Sequence, residues 1–370
     1  MTEKPFGYIS QFNPSLWQYL SQGVWRNRVL IGLIGLHFVA TLAAGQISEV
    51  PFKMGTFNAL SLLFGLLLPC FVIVIFIWRF CYMAVRVQPK RPIRWFARDL
   101  WRIFGDGNRL IEGGLTLLML AVFTGSFSYF KEIIPQLNPF SWDPALARLD
   151  VILHGGVAPY QYLMQVFGTP RLVSMVNAAY QAWFFVMFFV VFLACFTTES
   201  DQQKTRNTLL VAFVLTWALG GNIMATVFSS GGPVYFEKLG FGTDFTQLNT
   251  TLAEFDRIIL NPGLKTQDML WQGYAYDGSV AGISAMPSMH MASATLLALY
   301  GFRRAQWAGW LLTGFAAVIA IGAVLLAWHY AVDVYAGVLL ALLCWFIAVR
   351  LTGEISRMSV YRALNEAAQD

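Results

Sequence analysis

The chain has 370 residues, of which 57% are hydrophobic and only 12% charged. Soluble domains carry about 25% charged residues, so the composition excludes a soluble enzyme and points to an integral membrane protein. The net charge of +5 is small, and its meaning lies in where the basic residues fall.

A membrane span needs about 20 mostly apolar residues. About eight runs approach that length, starting near Val29, Phe57, Gly113, Leu172, Thr208, Met289, Trp307 and Val332. The expected fold is therefore all-α, with about eight transmembrane helices. The run from Met289 to Phe302 is the shortest of them. Ahead of the first span, Trp17 and Tyr19 precede Arg26 and Arg28, the pattern of an interfacial segment. The opening residues lack the short apolar core of a cleaved signal peptide, so the first span is expected to direct insertion. Cys70, Cys81, Cys195 and Cys344 lie in or beside apolar runs and are expected as small core residues, without a disulfide framework. His37 falls in the middle of the first span. An intramembrane histidine is a functional candidate by default, but no partner stands near it in sequence and a structural role is expected.

Between the second and third spans, Lys90, Arg91, Arg94, Arg98, Arg102 and Arg109 face two aspartates. Arg94, Arg98 and Arg102 recur every four residues and share one helical face. Beside Trp95, Phe96, Trp101 and Phe104, that face suits an anionic membrane surface. No nucleic-acid partner is expected, because no soluble binding module is present. Basic loops mark the cytoplasmic side. Placing this loop there puts both termini, Lys204 and Arg206, and Arg303 and Arg304 on the same side. The longest outer segment, Ser229 to Ser288, then lies outside. It carries Lys238, Arg257 and Lys265 against Glu237, Asp244, Glu254, Asp256, Asp268 and Asp277, and its charge balance is acidic.

Two outer segments invite detail. After the third span, Trp142 to Leu153 reads as a short amphipathic helix, with Asp143 as its N-cap and Pro144 at its first position. The long outer segment opens on Gly231, Gly232 and Pro233, which allow backbone to approach a ligand closely. It is rich in Phe, Tyr and Leu and is expected to form an ordered cover. Asn249-Thr250-Thr251 fits a glycosylation sequon, a weak pattern.

Chemistry gathers between Ser284 and Gly337. His290 begins the sixth span from outside, His329 follows the seventh as it emerges, and Asp333 is one turn into the eighth. Lys131, at the outer end of the third span, joins them. Residues four apart on a helix share a face, so Asp333 is expected to accept a hydrogen bond from one ring nitrogen of His329. The other nitrogen is then left as a nucleophile. His290 can protonate a departing oxygen. Pro287 and Ser288 are expected to start the sixth helix, and its free N–H groups can bind phosphate oxygens. Arg148, Arg257 and Lys238 are reserve cations for the phosphate, and Tyr330 is counted with the phosphate contacts. No cofactor or metal ion is expected.

Pro287-Ser288-Met289-His290 and His329-xxx-Asp333 resemble the second and third motifs of the type 2 phosphatidic acid phosphatase superfamily. The wording SAMPSMH and WHYAVDVYAG is most similar to its inositolphosphotransferase-like branch, which includes inositol phosphorylceramide synthases. The resemblance covers roughly Gly113 to Leu351, six spans, and makes the first two an addition. It implies a six-helix catalytic core over residues 113–352, after an N-terminal part over 1–112 and before a cytoplasmic tail over 353–370. It further implies that His329 becomes phosphorylated, that His290 protonates the leaving group, that Asp333 orients His329, and that the reaction needs no metal. Two departures stand out. No Arg-Pro follows Lys131, and Ala323 occupies the place six residues before the histidine where the superfamily commonly has arginine.

The expected function is therefore a lipid phosphotransferase moving a phosphoryl or phosphoryl-alcohol group, of phosphoinositol type for example, from a lipid donor to an alcohol acceptor. With water as acceptor the same site is a lipid phosphate phosphatase. A transporter is the rival from another class, but His37 is its one mid-membrane mark. The expected location is a bacterial inner (plasma) membrane, with the site on the extracytoplasmic side.

Overall fold

A computed structural model of the chain describes residues 21, 23–53, 55–199, 202–277 and 282–366. Trp17 and Tyr19 lie outside these residues. Among the described residues every regular element is helical. Seven helices among the described residues are long and apolar enough to cross a membrane. In chain order the helices used below are α1 (Arg28–Ser48), α2 (Asn58–Val87), α3 (Pro92–Phe104), α4 (Gly107–Glu132), α5 (Asp143–Leu153), α6 (Pro159–Phe167), α7 (Pro170–Cys195), α8 (Gln203–Val227), α9 (Thr246–Ile258), α10 (Pro262–Gln272), α11 (Met289–Arg304), α12 (Gln306–Leu325) and α13 (Ala331–Glu366).

The expected span that is not among those seven is the sixth, α11, which has only 16 residues. At about 1.5 Å per residue it reaches about 24 Å, short of the roughly 30 Å hydrocarbon layer. It need not span lipid, because α7, α8, α12 and α13 pack around it. Its buried Ala292, Ser293, Ala294 and Leu297 let those neighbours close in. Gly220 fits against Leu340, Met289 and Pro287, and Gly221 against Phe127, so this glycine pair in α8 is a packing point within a stretch of wide turns.

The two additional spans lie against the core through α4: α1 packs on α4 and α8, and the start of α2 on α4. His37 joins three helices, with Nδ1 3.0 Å from Ser126 Oγ on α4 and Nε2 2.8 Å from Asn222 Oδ1 on α8. α3 folds back on the end of α2. Arg79 grips Asp99 through two hydrogen bonds of 2.7 Å, and Phe96 packs on Phe76 and Phe80. One cation counted in a cytoplasmic loop is not in solvent. Arg206 is fully buried, donating to Asn27, Asn207 and Thr116, so it ties helices together rather than marking topology.

Outside the bundle, residues 229–277 form the expected ordered cover, built on α9 and α10 with Leu248 and Leu252 inward. Asn249 sits within α9, half-buried, its amide donating to Val234 O.

Candidate active site

Three segments that connect the helices are knitted into one floor by backbone hydrogen bonds. Ala285 N donates to Ser230 O (2.9 Å), Val234 N to Ala327 O (2.9 Å), and Ser288 N to Asp333 O (3.0 Å). Gly232 adopts φ +93°, and a Cβ there would lie 2.6 Å from Trp328 O. The glycine is required where two of these segments cross, so its close approach is to another segment of the floor and not, as expected from sequence, to a ligand. Ser288 caps α11, its hydroxyl accepting from Met291 N. Pro287 therefore precedes the cap and is not the first helical residue. Gly337 of α13 passes this helix start so closely that a Cβ would lie 2.5 Å from Ser288 O.

Above the floor is a cavity of about 260 Å³. Lys131, His290 and His329 all line it, with Tyr180, Trp183, Trp217, Tyr235 and Trp328 as aromatic walls and Gln181, Thr266 and Ser284 as polar ones. The ring centroids of His290 and His329 are 6.0 Å apart. His290 stacks on Tyr180 at 4.4 Å and packs against a tilted Trp183 ring at 4.0 Å. Packing, rather than a hydrogen bond among the described residues, fixes this ring, which leaves its nitrogens open to a ligand.

The orientation of His329 differs from the sequence reading. Its Nδ1 lies 2.8 Å from Ala285 O but 3.6 Å from Asp333 Oδ2. The helical spacing rule does not apply, because α13 begins at Ala331 and His329 stands before it. A carbonyl only accepts, so Nδ1 carries the proton and Nε2 keeps its lone pair. Asp333 is fully buried and its Oδ2 accepts from Tyr330 N at 3.0 Å. It secures the turn that bears His329 and adds a nearby negative charge.

The reserve cations are elsewhere. Arg148 and Arg257 are exposed and do not line the cavity. Lys238 is also exposed and pairs with Asp268 at 3.5 Å. Tyr330 is buried behind the floor and its hydroxyl donates to Asp143 Oδ1 at 2.9 Å, so it too is outside the cavity lining.

Asp143 is not the cap of α5; Trp142 holds that position without a side-chain bond. The Asp143 carboxylate instead accepts from Gly231 N (2.9 Å) and Gly232 N (2.7 Å). Asp150 accepts from Ala331 N (2.7 Å) and Val332 N (2.8 Å). Burial pushes both carboxyls up from their ordinary range, and these hydrogen bonds oppose it. Asp150 was missed as a site residue, although a signal existed. Asp143 and Asp150 are seven apart, on the same helical face as Leu146, so two acids sit on the apolar side of an amphipathic helix.

Among the described residues no three His, Cys, Asp or Glu side chains are grouped as a metal site. Neither a curated protein nor a solved structure matches the chain. Residues 144–347 match the family model of the PAP2 superfamily, and this span contains His290, His329 and Asp333. That superfamily carries a phosphatase or phosphotransferase type of function on lipid phosphates. A match over more than half of the sequence, on the segments that build this cavity, places the chain in the PAP2 superfamily.

Proposed function

We propose that the protein is a lipid phosphotransferase that takes a phosphoryl-alcohol group from a phospholipid and passes it to an alcohol through His329. The observation that carries this reading is the charge of the cavity. Among the described residues Lys131 is the one lysine or arginine in its lining. A phosphate monoester carries about 1.5 to 2 negative charges near pH 7, and a low-dielectric site disfavours the uncompensated part. A phosphodiester carries a single negative charge, which one ammonium balances. The aromatic walls and the Gln181, Thr266 and Ser284 side chains suit the ring carbons and hydroxyls of a polyol headgroup.

In the reaction, His329 Nε2 attacks phosphorus and a phosphorus–nitrogen bond forms. The bond to the departing lipid alcohol breaks, and that oxygen takes a proton from His290. Lys131 stabilises charge building on the phosphoryl oxygens. An acceptor alcohol then loses its proton to His290 and attacks phosphorus, and the electron pair of the phosphorus–nitrogen bond returns to Nε2. No metal takes part in these steps. Water in place of the alcohol gives the phosphatase.

The location follows the basic segments: a bacterial plasma membrane, both termini cytoplasmic and the cavity outside. On the cytoplasmic side α3 lies on the anionic leaflet. Arg94, Arg98 and Arg102 are exposed together, and beside them Ile93 is 86% and Trp101 75% exposed, an apolar edge that lipid would cover.

The test uses purified protein in vesicles with either phosphatidylinositol or phosphatidic acid, with and without an added lipid alcohol. Transfer from the diester to the alcohol, with little phosphate released, is the expected result. Release of phosphate from phosphatidic acid at the faster rate makes the protein a phosphatase and overturns the transferase reading.

A further inference from the structure

Asp143 and Asp150 take no part in the reaction proposed above, yet both are costly to keep. Asp143 is fully buried and Asp150 is 4% exposed. Among the described residues no lysine or arginine forms an ion pair with either. All five of their partners in the site are donors: Gly231 N, Gly232 N and the Tyr330 hydroxyl for Asp143, Ala331 N and Val332 N for Asp150. A protonated carboxyl would have to donate its own hydrogen, so this set of partners selects the ionised form.

What they hold is specific. Ala331 and Val332 open α13, where the first N–H groups lack partners within the helix. The residue ahead of them is Tyr330, whose hydroxyl is engaged by Asp143. The cap of α13 is therefore supplied from α5. Asp150, Tyr330 and His329 also line one small cavity of about 10 Å³, distinct from the large one that His329 lines as well. The charged and titratable groups around His329 are then Asp333 and Tyr330 from its own segment, Asp143 and Asp150 from α5 with His154 beside Asp150, Tyr160 in the small cavity, and His290, Lys131, Tyr180 and Tyr235 in the large one.

We propose that Asp143 and Asp150 are positioning residues, which clamp the backbone bearing His329 and hold fixed negative charge behind its imidazole. The catalytic consequence rests on the phosphohistidine reading. When Nε2 bonds to phosphorus the Nδ1-protonated ring becomes cationic, and carboxylates behind it favour that state. The clamp itself does not depend on any substrate.

The experiment is run on the full-length protein in detergent, without substrate. Diethyl pyrocarbonate acylates the unprotonated ring nitrogen of histidine, and mass spectrometry of the His329 peptide against pH gives the titration midpoint. Loss of a negative charge near the ring should lower that midpoint in Asp150→Asn and in Asp143→Asn. Arg148→Gln, an exposed charge on the same helix, should leave it in place. Hydrogen exchange at Ala331 and Val332 should speed up tenfold or more in Asp150→Asn. An unchanged midpoint with unchanged exchange overturns the proposal, as does faster exchange with no shift, which would reduce the pair to a structural clamp. Should Asp150→Asn fail to fold, Asp143→Asn decides by the same midpoint. A wild-type protein that turns over no phospholipid sinks the reaction proposed above but leaves both of these readouts intact.

Discussion

His37→Ala separates an enzyme from a transporter, because His37 is the one histidine at mid-span and the rival reading needs it to carry a proton or a substrate. Its surroundings give it another task. Nε2–H donates to Asn222 Oδ1 at 2.8 Å, and the Asn222 amide is oriented by donating to Phe127 O and Gly221 O. Nδ1 meets Ser126 Oγ at 3.0 Å, and Phe123 sits edge-on with its centroid 4.9 Å away. Interhelical hydrogen bonds in membranes average about 0.6 kcal/mol, so the two bonds are worth about 1.2 kcal/mol. Deleting a buried ring adds a cavity term of about 1–2 kcal/mol. The expected total is about 2–3 kcal/mol, with packing the larger share. The assay is thermal unfolding in detergent beside lipid turnover at a temperature where the variant stays folded. The unfolding midpoint should fall while most turnover remains. A double-mutant cycle with Asn222→Ala should return a coupling of about 0.6–1.7 kcal/mol. Loss of turnover at an unchanged unfolding midpoint would refute the reasoning and restore His37 as a functional group.

Other consequences follow from the same geometry. His329→Ala and His290→Ala should each abolish measurable turnover while the protein stays folded in detergent, and a phosphorylated His329 peptide should appear only when His329 is present. Lys131→Met should lower kcat/KM on a phosphodiester lipid by about 10²–10³-fold, the usual loss of one charge-stabilising donor; a change of less than fivefold would remove Lys131 from the mechanism. Gly337→Ala places a methyl against the Ser288 carbonyl, which is backbone and cannot yield, so α13 must shift. It should cost about 1–3 kcal/mol by thermal unfolding. Replacing Arg94, Arg98 and Arg102 by Gln should weaken retention of anionic lipid in native mass spectra on the order of 100-fold, at roughly 1 kcal/mol per charge; an equal loss with Arg303→Gln and Arg304→Gln would show that α3 has no special share.

Composition alone determined that this is a helical membrane protein, since only helices satisfy their own backbone in lipid when apolar runs reach span length. The spacing of His290, His329 and Asp333 relative to those runs predicted one rim, and Lys131 opens into the same cavity as both histidines. The basic face of α3 was likewise visible as a period of four. What the tertiary structure decided are the contacts made between segments distant in sequence. Ala285 O, 44 residues from His329, accepts the Nδ1–H hydrogen bond that helical spacing assigned to Asp333. Asp150 caps a helix that starts 181 residues later. Arg206 reads as a loop cation yet is buried among Asn27 and Thr116, and Arg148 and Arg257 are exposed and do not line the cavity that sequence offered them. Periodicity reports which face of its own helix a residue occupies. It says nothing of what another segment brings to that face, and hydrogen bonds in a floor of crossed loops depend on that alone.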